Sequence, residues 1–404
     1  MFYGSFKMKK KMKMILSIAL FMINISCLRA QGFRNPPEGP ASISQAGAFT
    51  AQCDDASAVT HNPAGLVQIE GSRILMGSTF VFPSTSHKST FFSADKEFSA
   101  GYMPFLYYSD NFGSKDWRFG LGITSPYGQT TEWSHDSVRT WNYEVPYYSS
   151  MRTVNISPVM AFRFTPEFSA GGGLDICYSQ LELNSLRVFP PPFPASELKE
   201  KIKADGLACG GILGLLYRKN NFSAGLTYKS GYNIKHTGTY RIPGLLLYEK
   251  ASIKMQFPNT LSAGIAVYPA SRLKMEFDTE WFGYSSLRNI PLSVSNLGTV
   301  RMSKNWKDAY MFSLGMEYKK SANAKLRAGG AYITSPVPSS TWEPSIPDAD
   351  SFVISAGGEF VTSHGIFSIG TGVNILKTIK REAPYAGNYK SKGYFLSFSY
   401  RKEI

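Results

Sequence analysis

Leu273-Lys274-Met275-Glu276-Phe277-Asp278-Thr279-Glu280-Trp281 sets an apolar side chain or a threonine at every odd position and a charge at every even one. Successive side chains of an extended chain face opposite ways, so this stretch is a strand with one greasy and one charged edge. The same period recurs. Phe222, Ala224, Leu226 and Tyr228 alternate with Ser223, Gly225, Thr227 and Lys229. Phe168, Ala170, Gly172, Leu174, Ile176 and Tyr178 alternate with Ser169, Gly171, Gly173, Asp175, Cys177 and Ser179.

A soluble sandwich and a membrane barrel both produce this alternation, and three features favour the barrel. The strands reach about ten residues, which is what a tilted crossing of a bilayer needs and more than the usual soluble strand. Aromatic residues collect near strand ends, as in Tyr102 with Tyr107-Tyr108, Tyr147-Tyr148, and Trp281 with Tyr284. Connections also alternate: short turns at 110–115, 165–167, 218–221, 269–271, 320–323 and 362–364 are interleaved with long loops near 86–98, 126–150, 184–203, 237–250, 286–305, 336–349 and 377–391. Short turns on one side and long loops on the other are the habit of outer-membrane barrels. The expected fold is all-β, a transmembrane antiparallel β-barrel of about 14 strands. Its last strand, Ser391 to Tyr400, resembles a signal for the outer-membrane assembly machinery, although the tail Arg401-Lys402-Glu403-Ile404 departs from the usual aromatic end.

Residues 1–30 read as a cleaved signal peptide. Lys7, Lys9, Lys10, Lys11 and Lys13 precede an apolar core from Met14 to Ile25, and Leu28-Arg29-Ala30 offers a cleavage site. That core is too short for a membrane helix, which needs roughly 20 residues. Asn24 stands where the lipid-attachment box before Cys27 would want leucine, which disfavours a lipoprotein. Without the leader's six cations the formal charge falls from +14 to +8, spread without basic runs, so nucleic acid is not an expected partner. Anionic lipopolysaccharide and outer-membrane lipid are the expected counter-charge. Cys53, Cys177 and Cys209 lack metal or disulfide spacing and read as small buried hydrophobes.

Residues 31–70 differ from everything after them. Gly32, Gly39, Gly47 and Gly65 alternate with Pro36, Pro37, Pro40 and Pro63, and the run Asp54 to Leu66 is rich in small residues. Prolines keep such a segment from pairing as a central strand, and small residues allow close packing. The expectation is an N-terminal hatch inside the lumen, with residues 71–404 forming the barrel around it.

These landmarks closely resemble the outer-membrane long-chain fatty acid transporter family, the FadL-type channels. The matching residues are Gln31-Gly32-Phe33, Asn62-Pro63-Ala64, Thr124-Ser125-Pro126-Tyr127-Gly128 and Asn305-Trp306-Lys307-Asp308, in order along the mature chain. The resemblance implies a monomer importing hydrophobic small molecules, such as long-chain fatty acids, by passive diffusion across the outer membrane. It implies capture by outer loops, a lumenal pocket holding Phe33, and lateral exit beside an inward kink of the third strand, about Trp117 to Thr124. Gly120 and Gly122 would ease that bend. Asn62, Pro63 and Ala64 would gate or support the hatch. The apolar stretches containing Phe189, Phe193 and Leu246 would form the capture groove. Arg118, Arg163, Lys229, Lys325 and Arg327 fall on the inward face, and a ligand carboxylate would suit Arg118 or Arg163.

Catalysis has little support. His61, His87, His135, His236 and His364 show no metal spacing, and no Gly-x-Ser-x-Gly elbow occurs. No catalytic residue, metal or cofactor is expected. The alternatives are a surface receptor or adhesion barrel, haem binding included, and a lipid hydrolase using His135 with Ser134 or Ser137.

Overall fold

The computed structural model describes residues 32–188 and 197–404. Among these, fourteen strands close into one antiparallel ring. The first six are β1 (Arg73–Lys88), β2 (Gly101–Asp110), β3 (Trp117–Thr124), β4 (Tyr148–Arg163), β5 (Phe168–Val188) and β6 (Glu197–Lys219). Four more follow: β7 (Phe222–Lys229), β8 (Thr260–Ala270), β9 (Leu273–Phe282) and β10 (Ala309–Ser321). The last are β11 (Ala324–Ile333), β12 (Ser351–Thr362), β13 (Gly365–Leu376) and β14 (Gly387–Glu403). Each pairs with its successor, and β14 returns to β1 in a long register from Arg73↔Glu403 to Lys88↔Asn388. Closure leaves no free edge at this seam, as a strand structure in lipid requires.

Alternation sets the two faces. On β9 Phe277 is 50% exposed, whereas Lys274 and Glu276 are 3% and 1% exposed. On β10 the side chains of Phe312, Leu314 and Met316 are exposed, and Met311 and Ser313 are buried. The greasy edge faces outward, and the polar edge faces the lumen. Tight connections join β2–β3, β4–β5, β6–β7, β8–β9, β10–β11 and β12–β13 at one end, and the long ones lie at the other. Two loop expectations need correction. Residues 184–188 and 197–203 belong to β5 and β6, which pair to Val188↔Glu197. The span 237–250 lies within a hairpin, Asn233–Ile242 and Leu247–Gln256, which extends the wall by pairing with β6. Cys209 also departs from expectation: it lies on the outward face of β6 and is exposed, while Cys53 and Cys177 are buried.

Residues 33–66 touch opposite sides of the ring. Their backbone cannot pair as a strand and must find partners in a place largely closed to water. The wall supplies them. The Asp278 carboxylate accepts from the N–H groups of Phe49 and Thr50, both at 2.9 Å. Glu276 accepts from Ala51 at 2.7 Å and Gln52 at 3.2 Å. Arg34 pairs with Glu280 at 2.7 Å. Thus the charged edge of β9 captures four consecutive amides and a cation. Hydroxyls of Ser169, Ser223 and Ser313 donate to the carbonyls of Ala64, Ala51 and Ala46. Close approach is made possible by wall glycines: a Cβ on Gly329 would stand 2.3 Å from the Gln45 carbonyl carbon.

Charge-assisted hydrogen bonds contribute roughly 1.5–3 kcal/mol each. The double variant Glu276→Ala/Asp278→Ala is expected to loosen residues 49–52 while leaving the ring closed. Planar-bilayer recordings should then show discrete conductance steps larger than those of the unaltered protein.

Candidate functional site

The wall is interrupted beside β3. β2 pairs with β3 only from Leu106↔Ile123 to Asp110↔Phe119, whereas it pairs with β1 up to Val81↔Gly101. Among the described residues, Gly101 to Phe105 therefore have a strand partner on one side alone. β3 ends at Thr124 because Pro126 has no N–H to offer a ladder and restricts Ser125 before it. The chain then turns inward to the N-terminal segment. Asn35 donates its backbone N–H to the Pro126 carbonyl at 2.9 Å and its side-chain amide to the Ser125 carbonyl at 2.6 Å. Gly128 donates to the Phe33 carbonyl at 2.9 Å, and Arg34 bridges to Tyr127. Residues Gly128–Glu132 rejoin the wall beside β4, starting at Gly128↔Arg152.

The inward bend thus follows β3 instead of lying within it. Gly120 and Gly122 sit in regular ladder positions and do not make the bend. They make room for the segment: a Cβ on Gly120 would lie 2.6 Å from Val59 Cγ2, and one on Gly122 would lie 2.9 Å from Val59 Cγ1.

Phe33 lies at the centre of an aromatic cluster beside this break. Its ring centroid stands 5.1 Å from Phe257, 5.3 Å from Tyr284, 5.6 Å from Trp306 and 5.9 Å from Tyr127. Burial pushes the Tyr127 and Tyr284 hydroxyls above the usual phenol range, so both stay neutral. The Gly32 amide, donating to Asp348, anchors the chain on the other side of Phe33. Outward of Phe33 opens a cavity of about 250 Å³. Its walls include Met151, Leu183, Ile202, Ile253, Ile290 and Met302. Its charged edge holds two ion pairs, Lys304 with Glu343 and Arg187 with Glu200, each at 2.8 Å. The alternation of β4, β5 and β6 places some of these residues inward. Their convergence with the hairpins at 233–256 and 289–303 and the loop at 334–350 carries no signal along the chain.

The Asn-Pro-Ala turn is held by hydrogen bonds at both Asn62 and Ala64. Asn62 is buried, and its amide donates to the carbonyls of Thr50 and Leu215, each at 3.0 Å. Its side-chain oxygen accepts from the Ala64 N–H at 3.2 Å. A Cβ on Gly214 would fall 2.2 Å from that oxygen, and one on Gly171 would fall 2.6 Å from the Pro63 carbonyl carbon. Asn62 fastens the segment to β6 at a site shaped for it.

Residues 30–402 match the family described as outer membrane protein transport protein (OMPP1/FadL/TodX). The chain belongs to this family. Among its relatives is a long-chain fatty acid transport protein of Escherichia coli O6:H1, 25% identical over 399 residues, 85% of this chain and 87% of the relative. Among solved structures, a Pseudomonas aeruginosa FadL homologue aligns with a TM-score of 0.81 at 19% identity, over 92% of this chain and 99% of that one. The Ralstonia pickettii toluene transporter TbuX aligns at 0.71 and 18% identity, over 91% and 98%. Membership makes the protein an outer-membrane transport channel and not an enzyme.

Within this family frame, other expected site residues have structural partners. Arg118 donates to the carbonyls of Ile69 and Gly71, and Arg163 to that of Val67. Both hold the end of the N-terminal segment at the short-turn side, remote from the cavity lining. Arg327 pairs with Glu317 and Glu359, and Lys325 reaches the same two carboxylates. Lys229 lines a small polar recess with Glu38 and Asp175. Leu246 is 95% exposed at a hairpin tip and does not line the cavity. Phe189 and Phe193 lie outside the described residues. Ser134 caps the short helix His135–Thr140 and bonds Ser137, and the His135 ring packs on Tyr147.

Substituting Arg118 and Arg163 together by methionine is therefore expected to leave the affinity for a fatty acid carboxylate unchanged. Hydrogen exchange at residues 67–71 should accelerate, because three carbonyls lose charged donors.

Proposed function

We propose that the protein takes up hydrophobic small molecules, long-chain fatty acids among them, through the cavity above Phe33 and out sideways at the break beside β3. On this reading residues 1–30 are an export leader, and residues 31–70 are a hatch that denies a straight passage. Outer loops deliver the ligand, and lipid receives it between β2 and the inward-turned residues 125–127.

One observation carries the proposal. Phe33 forms the inner limit of the cavity with its ring and holds Gly128 with its carbonyl. A ligand that displaces the ring acts on the same residue that anchors the inward-turned residues after β3, so entry and exit share one element. An acyl chain gains from burial against methionine, leucine and isoleucine, at about 0.8 kcal/mol per methylene. Its carboxylate would lie near Lys304 and Arg187.

A second reading, uncharged hydrophobes, is favoured by the pairing of both those cations with Glu343 and Glu200. A carboxylate must compete with these partners, and a neutral ring or alkane need not.

The test is uptake by cells whose own transporter is deleted. Phe33→Ala is expected to change fatty acid binding and uptake together. Lys304→Gln should weaken oleate binding about ten-fold if the carboxylate is recognised there, and leave toluene binding unaltered. Uptake that is indifferent to Phe33→Ala and to truncation of the cavity-lining isoleucines would overturn the proposal.

A further inference from the structure

The wall changes character abruptly along the outward face of β6. Tyr217, Leu215 and Leu213 are exposed and apolar, followed by Cys209 and Leu207. From Tyr217 to Leu207 the strand climbs roughly 25 Å along the membrane normal, the height of an outer-membrane barrel's apolar band. The next outward residues are Asp205, Lys203 and Lys201. Charge therefore begins where the hydrocarbon of the outer leaflet ends, on the side of the long loops.

The hairpin Asn233–Ile242 and Leu247–Gln256 continues this face sideways. Its inward residues Ile234, His236, Tyr240, Ile253 and Met255 are buried, which turns Lys235, Arg241, Lys250 and Lys254 outward. The ladder sets cation beside cation. Lys235 is the register partner of Lys254, and Arg241 of Lys201. Thr239 stands between Lys203 and Lys250 in one row. Like charges facing each other across strands are destabilising, and neighbouring strands lie only about 4.8 Å apart. Six cations share this face with two acids, Glu182 and Asp205. Glu182 is already divided between Lys201 and Lys203, at 2.9 Å each. Such a face is most stable with an anion laid across it.

We propose that this outward sheet face, centred on the row Lys203–Thr239–Lys250, docks the phosphates of an anionic glycolipid of the outer leaflet. Three features fit that partner. The patch faces lipid and not the lumen; its cations continue upward from the top of the apolar band; and they are spread over several rows, as the separate phosphates of a sugar headgroup carried by acyl chains require. Those chains would lie on Leu207, Leu213 and Leu215 below. The inference is independent of the transport route, since none of its residues lines the cavity.

The experiment uses the full-length barrel in phosphatidylcholine nanodiscs doped with diphosphorylated lipid A, with bound lipid read by native mass spectrometry. The unaltered protein should retain lipid A. K235Q/R241Q/K250Q/K254Q should lower the affinity about ten-fold, the sum of four exposed charge contacts. The control K319Q/K320Q, at a short turn on the opposite end, should retain it. Heat-modifiable migration on gels verifies that each barrel is folded. Equal retention by the four-fold variant would overturn the proposal. Equally tight binding of dephosphorylated lipid A would do so too, by assigning the contact to acyl chains. Binding of phosphatidylglycerol as tight as that of lipid A would refute the choice of a glycolipid.

Discussion

The seating of the N-terminal segment, and with it the proposed route, depends on two buried carboxylates accepting backbone amides. A ring of fourteen strands needs nothing inside it to satisfy its own hydrogen bonds. The N-terminal segment, rich in proline and glycine, has amides and carbonyls that water cannot easily reach. Asp278 and Glu276 take four consecutive N–H groups, and Lys274 balances Glu276 at 3.0 Å while bonding Gln45. In a low-dielectric interior an unpaired carboxylate is costly, as is an unpaired amide. Each satisfies the other, and the strand that supplies the charges also presents Phe277 to lipid. One ribbon therefore meets lipid on one edge and holds the N-terminal segment on the other.

The same exchange explains the break beside β3. Two backbones compete for residues 125–128: the edge of β2 and the start of the N-terminal segment. Pro126 removes a donor that β2 would need, and Asn35 supplies donors that Ser125 and Pro126 can accept. The wall is left with a half-paired stretch from Gly101 to Phe105, a feature that lipid normally forbids and that protein contacts nearby make tolerable. The proposed lateral route uses this local surrender of a ladder, so the position of the segment and the position of the exit are one structural decision.

Much of this could be read from the chain. The period-two edges of Leu273–Trp281 and Phe222–Lys229 determine which side chains meet lipid, and the spacing of short turns and long loops yields the strand number. Asn62-Pro63-Ala64 and Pro126 mark real turns, because proline and asparagine act locally. That Arg118, Arg163 and Leu246 stand away from the cavity was not legible. Alternation says that a side chain points inward, but not what height it occupies or which carbonyl lies opposite. Gly120 and Gly122 misled for a related reason: a strand glycine signals a bend or a close neighbour, and only the position of Val59 distinguishes them. The cavity itself joins residues from strands, hairpins and a loop more than a hundred positions apart, so no local pattern could announce it.

The central claim is that a hydrophobic ligand enters above Phe33 and leaves through the half-paired wall. A crystal structure of the protein soaked with a terminally brominated long-chain fatty acid tests it most directly, because bromine is located by its anomalous signal. Bromine density is expected in the Phe33 cavity or between Phe105 and Tyr127, with the Phe33 ring displaced. Density confined to the short-turn mouth near Asp54, Arg73 and His364, with Phe33 unmoved, would contradict it.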